Sequence, residues 1–200
     1  MNKAILYVHG KGGNAQEAER YKAFFPEYDV FGADYRGNAP WETKEEILSA
    51  YEKLAGTYGD VALIAVSIGA YFSMNALMDR RLERAFFVSP VVDMERLIVT
   101  MMQRAGVSET QLREKKEIVT PFGETLSWNY LSYVRENPVV WNTPTDILYG
   151  ENDGIIPYGT VSGFAKAARA TLTVMKNGEH WFHTEEQLAF LNQWLRSVTQ

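Results

Sequence analysis

A serine acts as a nucleophile only when a base takes its proton, and bases are few in this chain: three histidines, His9, His180 and His183, and no cysteine. Ser67 is the serine whose surroundings suit that chemistry. It stands in Ala65-Val66-Ser67-Ile68-Gly69, with very small residues two places before and two places after it. A strand that reverses into a helix within one or two residues brings backbone from both elements so close that flanking side chains must nearly vanish, which is the pattern of a nucleophile elbow. The first small position, usually glycine, holds Ala65, which adds one methyl group. Taken alone, the same five residues also describe a strand, a turn and a serine capping the next helix.

A nucleophilic Ser67 needs a histidine to accept its proton and a carboxylate to fix that histidine's tautomer and balance its charge. In an open parallel sheet such groups collect at the carboxyl ends of the strands. His180 lies in the loop directly after the last strand, whereas His183 stands three residues on, at the entrance to a helix, where a surface histidine is ordinary. His9 follows the first strand and is expected to shape its loop by hydrogen bonding. Asp153 follows the strand that ends at Tyr149 and is the preferred acid. Its rivals are Glu151 in the same loop, Asp146 in or before the strand and expected to point elsewhere, and Asp93 after the preceding strand. Asp34, in Asp34-Tyr35-Arg36-Gly37, reads as structural, holding its loop through local hydrogen bonds.

The elements that must position these groups alternate between strand and helix, the signature of a parallel sheet with helices on its faces. Strands are expected over Lys3 to Val8, Asp29 to Tyr35, Val61 to Val66, Arg84 to Val88, Thr145 to Tyr149 and Thr171 to Met175. Helices are expected over Ala15 to Phe25, Thr43 to Ala55, Ile68 to Met78 and Tyr158 to Ala168, with a last one beginning at Thr184. Thr43 with Glu46, and Thr184 with Gln187, have the spacing of capping boxes. Residues 91–140 break the rhythm with helical patterns and no convincing buried strand, and read as an insertion. Met94, Leu97, Ile98, Met101 and Met102 recur at helical spacing there, followed by Trp128, Tyr130, Leu131 and Tyr133. Most of these are expected to form the insertion's own core. Methionines and aromatics also suit an adaptable apolar pocket, so Met94, Met101, Trp128 and Tyr133 are candidates to touch an acyl or aryl group.

With 200 residues, 46% of them hydrophobic, the chain suffices for one well-buried domain over 1–200 and is short for two. No stretch approaches the roughly 20 apolar residues that span a bilayer. Ala4 to Val8 ends at His9-Gly10, too brief for a secretory hydrophobic segment, and reads as the first strand. The lack of cysteine excludes disulfides, thiolate metal sites and cysteine nucleophiles, and a cytoplasmic location is the default. The net charge of -5, with both signs interspersed, argues against a nucleic-acid partner.

Ser67, Asp153 and His180 occur in the order serine, acid, histidine, the chain order of α/β-hydrolases. Four local motifs accompany them: Val8-His9-Gly10-Lys11-Gly12-Gly13, then Asp34-Tyr35-Arg36-Gly37, the Ser67 turn, and the pair Gly150 to Pro157 with Gly178 to Phe182. In these the chain resembles the α/β-hydrolase superfamily over nearly its whole length, as a compact, serine esterase-like member with a variant elbow. The resemblance implies a three-layer α/β fold, a mostly parallel sheet with helices on both faces and a small helical cap over residues 91–140. It implies a triad of Ser67, Asp153 and His180, with Asp93 the serious alternative acid because some members place theirs after that strand. Oxyanion-binding amides fall to Ile68 and Lys11, with Gly12 in reserve. The expected activity is hydrolysis of small to medium carboxylic esters through an acyl-enzyme, with no metal or organic cofactor and a small-molecule substrate as the partner. Thioester, lactone, carbon-carbon and peptide hydrolysis, and acyl transfer to an alcohol, use the same machinery. A binding module that kept the fold is the remaining alternative, and no membrane association or oligomeric state is implied.

Overall fold

Apolar runs that do not alternate belong in strands covered on both faces, and four such strands form the middle of the sheet. In a computed structural model, which describes residues 3–199, the first half of the chain runs β1 (Lys3–Val8), a 3₁₀ helix (Ala15–Phe24), β2 (Tyr28–Gly32), α1 (Pro40–Ala55), β3 (Asp60–Val66), α2 (Ile68–Leu77) and β4 (Ala85–Val88). Then come α3 (Met94–Ala105), α4 (Glu109–Lys115), β5 (Glu117–Val119), β6 (Thr125–Ser127) and α5 (Trp128–Glu136). The chain closes with β7 (Thr145–Gly150), α6 (Tyr158–Ala168), β8 (Thr171–Met175) and α7 (Glu185–Val198).

Six strands form one sheet in the order β2-β1-β3-β4-β7-β8, every neighbour parallel. The chain adds β2 on one side of β1 and then crosses to lay β3 on the other. The β1/β3 junction is therefore the switch point, where ligands of open α/β sheets bind. β1 and β7 are buried almost end to end, whereas the edge strands β2 and β8 are half solvated. On one face Ile5, Tyr7, Ile64, Phe86, Val88 and Leu148 pack with Tyr21 and Phe25 and with Leu191, Trp194 and Leu195 of α7. α1 and α2 pack together against β1 and β3, and α2 is buried from Gly69 to Leu77.

Backbone contacts divide the chain into two units, one up to Val92 and from Val140 onward, the other Asp93–Val139. Within the second, α3 packs on α5 and β6. Met94, Ile98 and Met102 form one buried stripe along α3, and Arg135 ties α5 to Glu95 at 2.7 Å and to Glu109 at 2.8 Å. Its antiparallel hairpin, β5 with β6, was not expected from the sequence: only Leu126 of its six residues is buried, so no apolar run marks it.

Two helices differ from expectation, one in type and one in where it starts. The segment after Asn14 is a 3₁₀ helix, Ala15–Phe24, capped by the Asn14 side chain accepting the Gln16 N–H at 3.0 Å and burying Ala18 and Tyr21. α1 begins at Pro40 rather than Thr43, with the rigid proline in the first helical position. The Thr43 and Glu46 box does not form, since Thr43 hydrogen-bonds back to the Ala39 carbonyl and the Glu46 carboxylate accepts the Arg36 and Gly37 N–H groups. At α7, Thr184 caps the Gln187 N–H at 3.2 Å, while the Gln187 side chain accepts from His183.

Candidate functional site

Ser67 stands between β3 and α2 with φ 52 and ψ -123, a conformation that costs a non-glycine residue about 1–3 kcal/mol and persists only where the surroundings over-determine it. Here they do. Its N–H donates to the Val88 carbonyl at 3.0 Å, and its own carbonyl accepts from Ala70 at 3.1 Å and Val91 at 3.0 Å. Gly69 lets the turn pass beneath β1, since a Cβ there would lie 2.3 Å from the His9 carbonyl oxygen and 2.7 Å from that of Val8. Both obstacles are backbone. Gly69→Ala is thus expected to cost about 1–3 kcal/mol, read as a fall in Tm, whereas Gly163→Ala in α6, where a Cβ meets nothing within 4 Å, should raise Tm slightly.

His180 and Asp153 reach Ser67 from two neighbouring loops at the carboxyl ends of β7 and β8. The loops are tied by hydrogen bonds from Glu151 N–H to the Met175 carbonyl (2.9 Å) and from Asn152 N–H to the Gly178 carbonyl (2.8 Å). They also touch at Gly150, where a Cβ would stand 2.5 Å from the Glu179 carbonyl oxygen. Asp153 turns its carboxylate inward by accepting the Ile155 and Ile156 N–H groups on Oδ1, at 2.8 and 2.9 Å. Its Oδ2 lies 2.7 Å from His180 Nδ1, with the Asp153 side chain wholly buried and that of His180 7% exposed. A carboxylate can only accept, so Nδ1 carries the hydrogen and Nε2 presents its lone pair. That Nε2 is 2.8 Å from Ser67 Oγ. Tyr149 closes the acid loop by donating to the Ile156 carbonyl at 2.7 Å; burial first, and the Asp153 charge second, push its hydroxyl up to about 12, so it stays a donor.

The rival groups are engaged elsewhere. Glu151 accepts the Asn177 N–H at 3.0 Å, Asp146 pairs with Arg84 at 2.7 Å, and Asp93 caps α3 by accepting the Arg96 N–H at 2.9 Å. His183 is exposed, with Nδ1 2.8 Å from the Trp181 carbonyl. His9 is buried, donates from Nδ1 to the Gly10 carbonyl at 2.8 Å and stacks on Tyr35, whose hydroxyl donates to the His9 carbonyl. Asp34 does not hold its loop as expected: it is exposed, with Arg36 at 3.9 Å, and Glu46 and Glu42 accept the loop's N–H groups from Arg36 to Ala39. Both glutamates lie inside α1, where the sequence offered Glu46 only as the partner of Thr43 in a capping box.

Of the amides named from sequence, that of Ile68 opens α2 and has no partner four residues back within the helix. Lys11 sits in the turn closed by Gly13 N–H on the Gly10 carbonyl at 3.1 Å, and Gly10 is pressed against Ser67, where a Cβ would meet Ser67 Cβ at 3.2 Å. Met94 is buried, while Met101, Trp128 and Tyr133 are half-buried; the Arg113 guanidinium lies over the Trp128 ring. Among the described residues, no three His, Asp or Glu side chains are grouped to hold a metal ion, and no helix is long and apolar enough to cross a membrane.

No protein-family model matches the chain, and no curated protein matches it in sequence. Solved structures do match it in shape. Est1E from Butyrivibrio proteoclasticus superimposes with a TM-score of 0.78 at 17% identity, over 98% of this chain and 86% of its own. Alpha/beta hydrolase domain-containing protein 10 from mouse gives 0.72 at 16% identity, over 98% and 88%. An esterase from Pyrococcus furiosus gives 0.62 at 18% identity, over 98% and 79%.

Proposed function

From the α/β-hydrolase fold that this chain adopts, we propose that it is a serine hydrolase cleaving small to medium carboxylic esters. One observation carries the reading: Ser67 Oγ, on a strained turn, lies 2.8 Å from His180 Nε2 while His180 Nδ1 lies 2.7 Å from Asp153. The likeness in shape to an esterase supports the choice of ester.

His180 Nε2 takes the Ser67 proton as Oγ forms its bond to the ester carbonyl carbon. The negative charge gathering on the carbonyl oxygen is held by the N–H groups of Ile68 and Lys11, each such donor contributing about 3–4 kcal/mol of transition-state stabilisation. The partial positive end of α2 adds to it. Collapse breaks the bond to the alcohol oxygen, which leaves with the proton from His180. Water then attacks the acyl-Ser67 carbonyl as His180 takes its proton, and that proton returns to Ser67 Oγ when the acid departs. Asp153 balances the imidazolium formed in both halves and keeps the ring in the tautomer that starts them. The residues themselves supply every proton transfer, so no metal or organic cofactor enters the scheme.

A fluorophosphonate probe should label the protein on Ser67 alone, read by mass spectrometry of the peptide, and p-nitrophenyl esters of graded acyl length should turn over. Labelling at another serine, or no turnover of any ester, would overturn the reading.

A further inference from the structure

Trp181, the residue after His180, is 69% exposed. Its indole is not a core residue displaced to the surface: its ring centroid lies 6.5 Å from that of the imidazole at an interplanar angle of 62°, an edge contact with the buried His180 ring. On the acid loop, Ile155 gives its N–H to Asp153 Oδ1 at 2.8 Å and is itself 42% exposed. The two loops that deliver the base and the acid therefore each carry a large, exposed apolar residue, Trp181 beside His180 and Ile155 beside Asp153. Neither is needed to hold the loops together, since backbone hydrogen bonds from Glu151 and Asn152 do that.

Which half of an ester such a surface touches follows from the chemistry proposed above, on which this inference rests. His180 gives its proton to the departing alcohol oxygen, so that oxygen must come within hydrogen-bond reach of Nε2. The substituent on that oxygen lies on the imidazole side of the reacting carbon, whereas the acyl chain is fixed by its bond to Ser67. We propose that Trp181 and Ile155 form the leaving-group subsite, and that the alcohol half of the natural ester is large, apolar and planar enough to lie on an indole. Trp181 contacts substrate without entering the proton transfers, and its effect depends on the alcohol and not on the acid.

Two substrate series test this, each comparing the wild type with Trp181→Ala. Acetyl esters of ethanol, benzyl alcohol and 2-naphthylmethanol vary the alcohol; p-nitrophenyl acetate, butyrate and hexanoate vary the acyl group. The ratio of wild-type to variant kcat/KM should rise from about 1–2 for ethyl acetate to about tenfold or more for the naphthylmethyl ester, the size of one aromatic contact. Along the acyl series it should stay constant, and Trp181→Phe should restore most of the lost discrimination. A ratio equal for all alcohols, or one that climbs with acyl length, would overturn the subsite while leaving the hydrolase reading intact. A wild type that cleaves no ester of either series would overturn both.

Discussion

Ser67→Ala should lower kcat for ester hydrolysis by roughly 10⁴- to 10⁶-fold and abolish fluorophosphonate labelling, with the fold retained. The size of the loss reflects what Oγ alone supplies: the atom that bonds to substrate and the proton that His180 accepts, 2.8 Å away. What remains should be the slow reaction of water in a site whose amides still bind the carbonyl oxygen. The substitution keeps Cβ, so the positive φ of residue 67 and its hydrogen bonds to Val88, Ala70 and Val91 stay as they are. A circular-dichroism melt within a few degrees of the wild type checks the fold while stopped assays measure the residual rate. Retention of more than a few per cent of kcat in a folded variant would remove Ser67 from its role.

A second loss of similar kind is expected at the acid. Asp153→Asn should lower kcat roughly 10⁴-fold with little change in KM. Oδ1 is held by two N–H donors, those of Ile155 and Ile156, so the amide oxygen of asparagine must take that place and its NH₂ must face His180 Nδ1. An NH₂ can only donate. Nδ1 then becomes the acceptor, the hydrogen moves to Nε2, and Nε2 loses the lone pair that receives the Ser67 proton. Asp93→Ala provides the contrast: it removes the α3 cap and about 1 kcal/mol of stability, with kcat unchanged within about threefold. If instead the Asp93 variant lost turnover and Asp153→Asn kept it, the acid would have to be reassigned.

The sheet was legible because its central strands carry continuous apolar runs, such as the one from Val61 to Val66. Thr171–Met175 and Tyr158–Ala168 stand where periodicity placed them, and the strand before Ser67 begins one residue earlier than expected. Boundaries failed where a local hydrogen bond decided them. Thr43 has the form of a cap, yet Pro40 and the carboxylate of Glu42 start α1 three residues earlier. The hairpin of β5 and β6 escaped notice because it buries one side chain and so leaves no pattern. Asp34 looked like the residue that holds its loop, because Asp is a turn former; Glu46, ten residues beyond Arg36, does it through contacts no local pattern encodes.

The sequence by itself determined the parallel sheet, the turn at Ser67 and the short set of groups able to act there, because apolar period and residue chemistry are local properties. It preferred Asp153 as the acid and kept Asp93 as the serious alternative, since both follow a strand. The tertiary structure decided between their surroundings: a carboxylate binds what lies within about 3 Å of it. Asp93 meets the first turn of its own helix, whereas Asp153, folded inward by two amides, meets an imidazole 27 residues further along the chain. That distance in sequence is closed by the Gly150 contact with the loop from Gly178 and by parallel pairing of β7 with β8. Such pairing depends on side chains from the whole sheet, and no five-residue motif contains it.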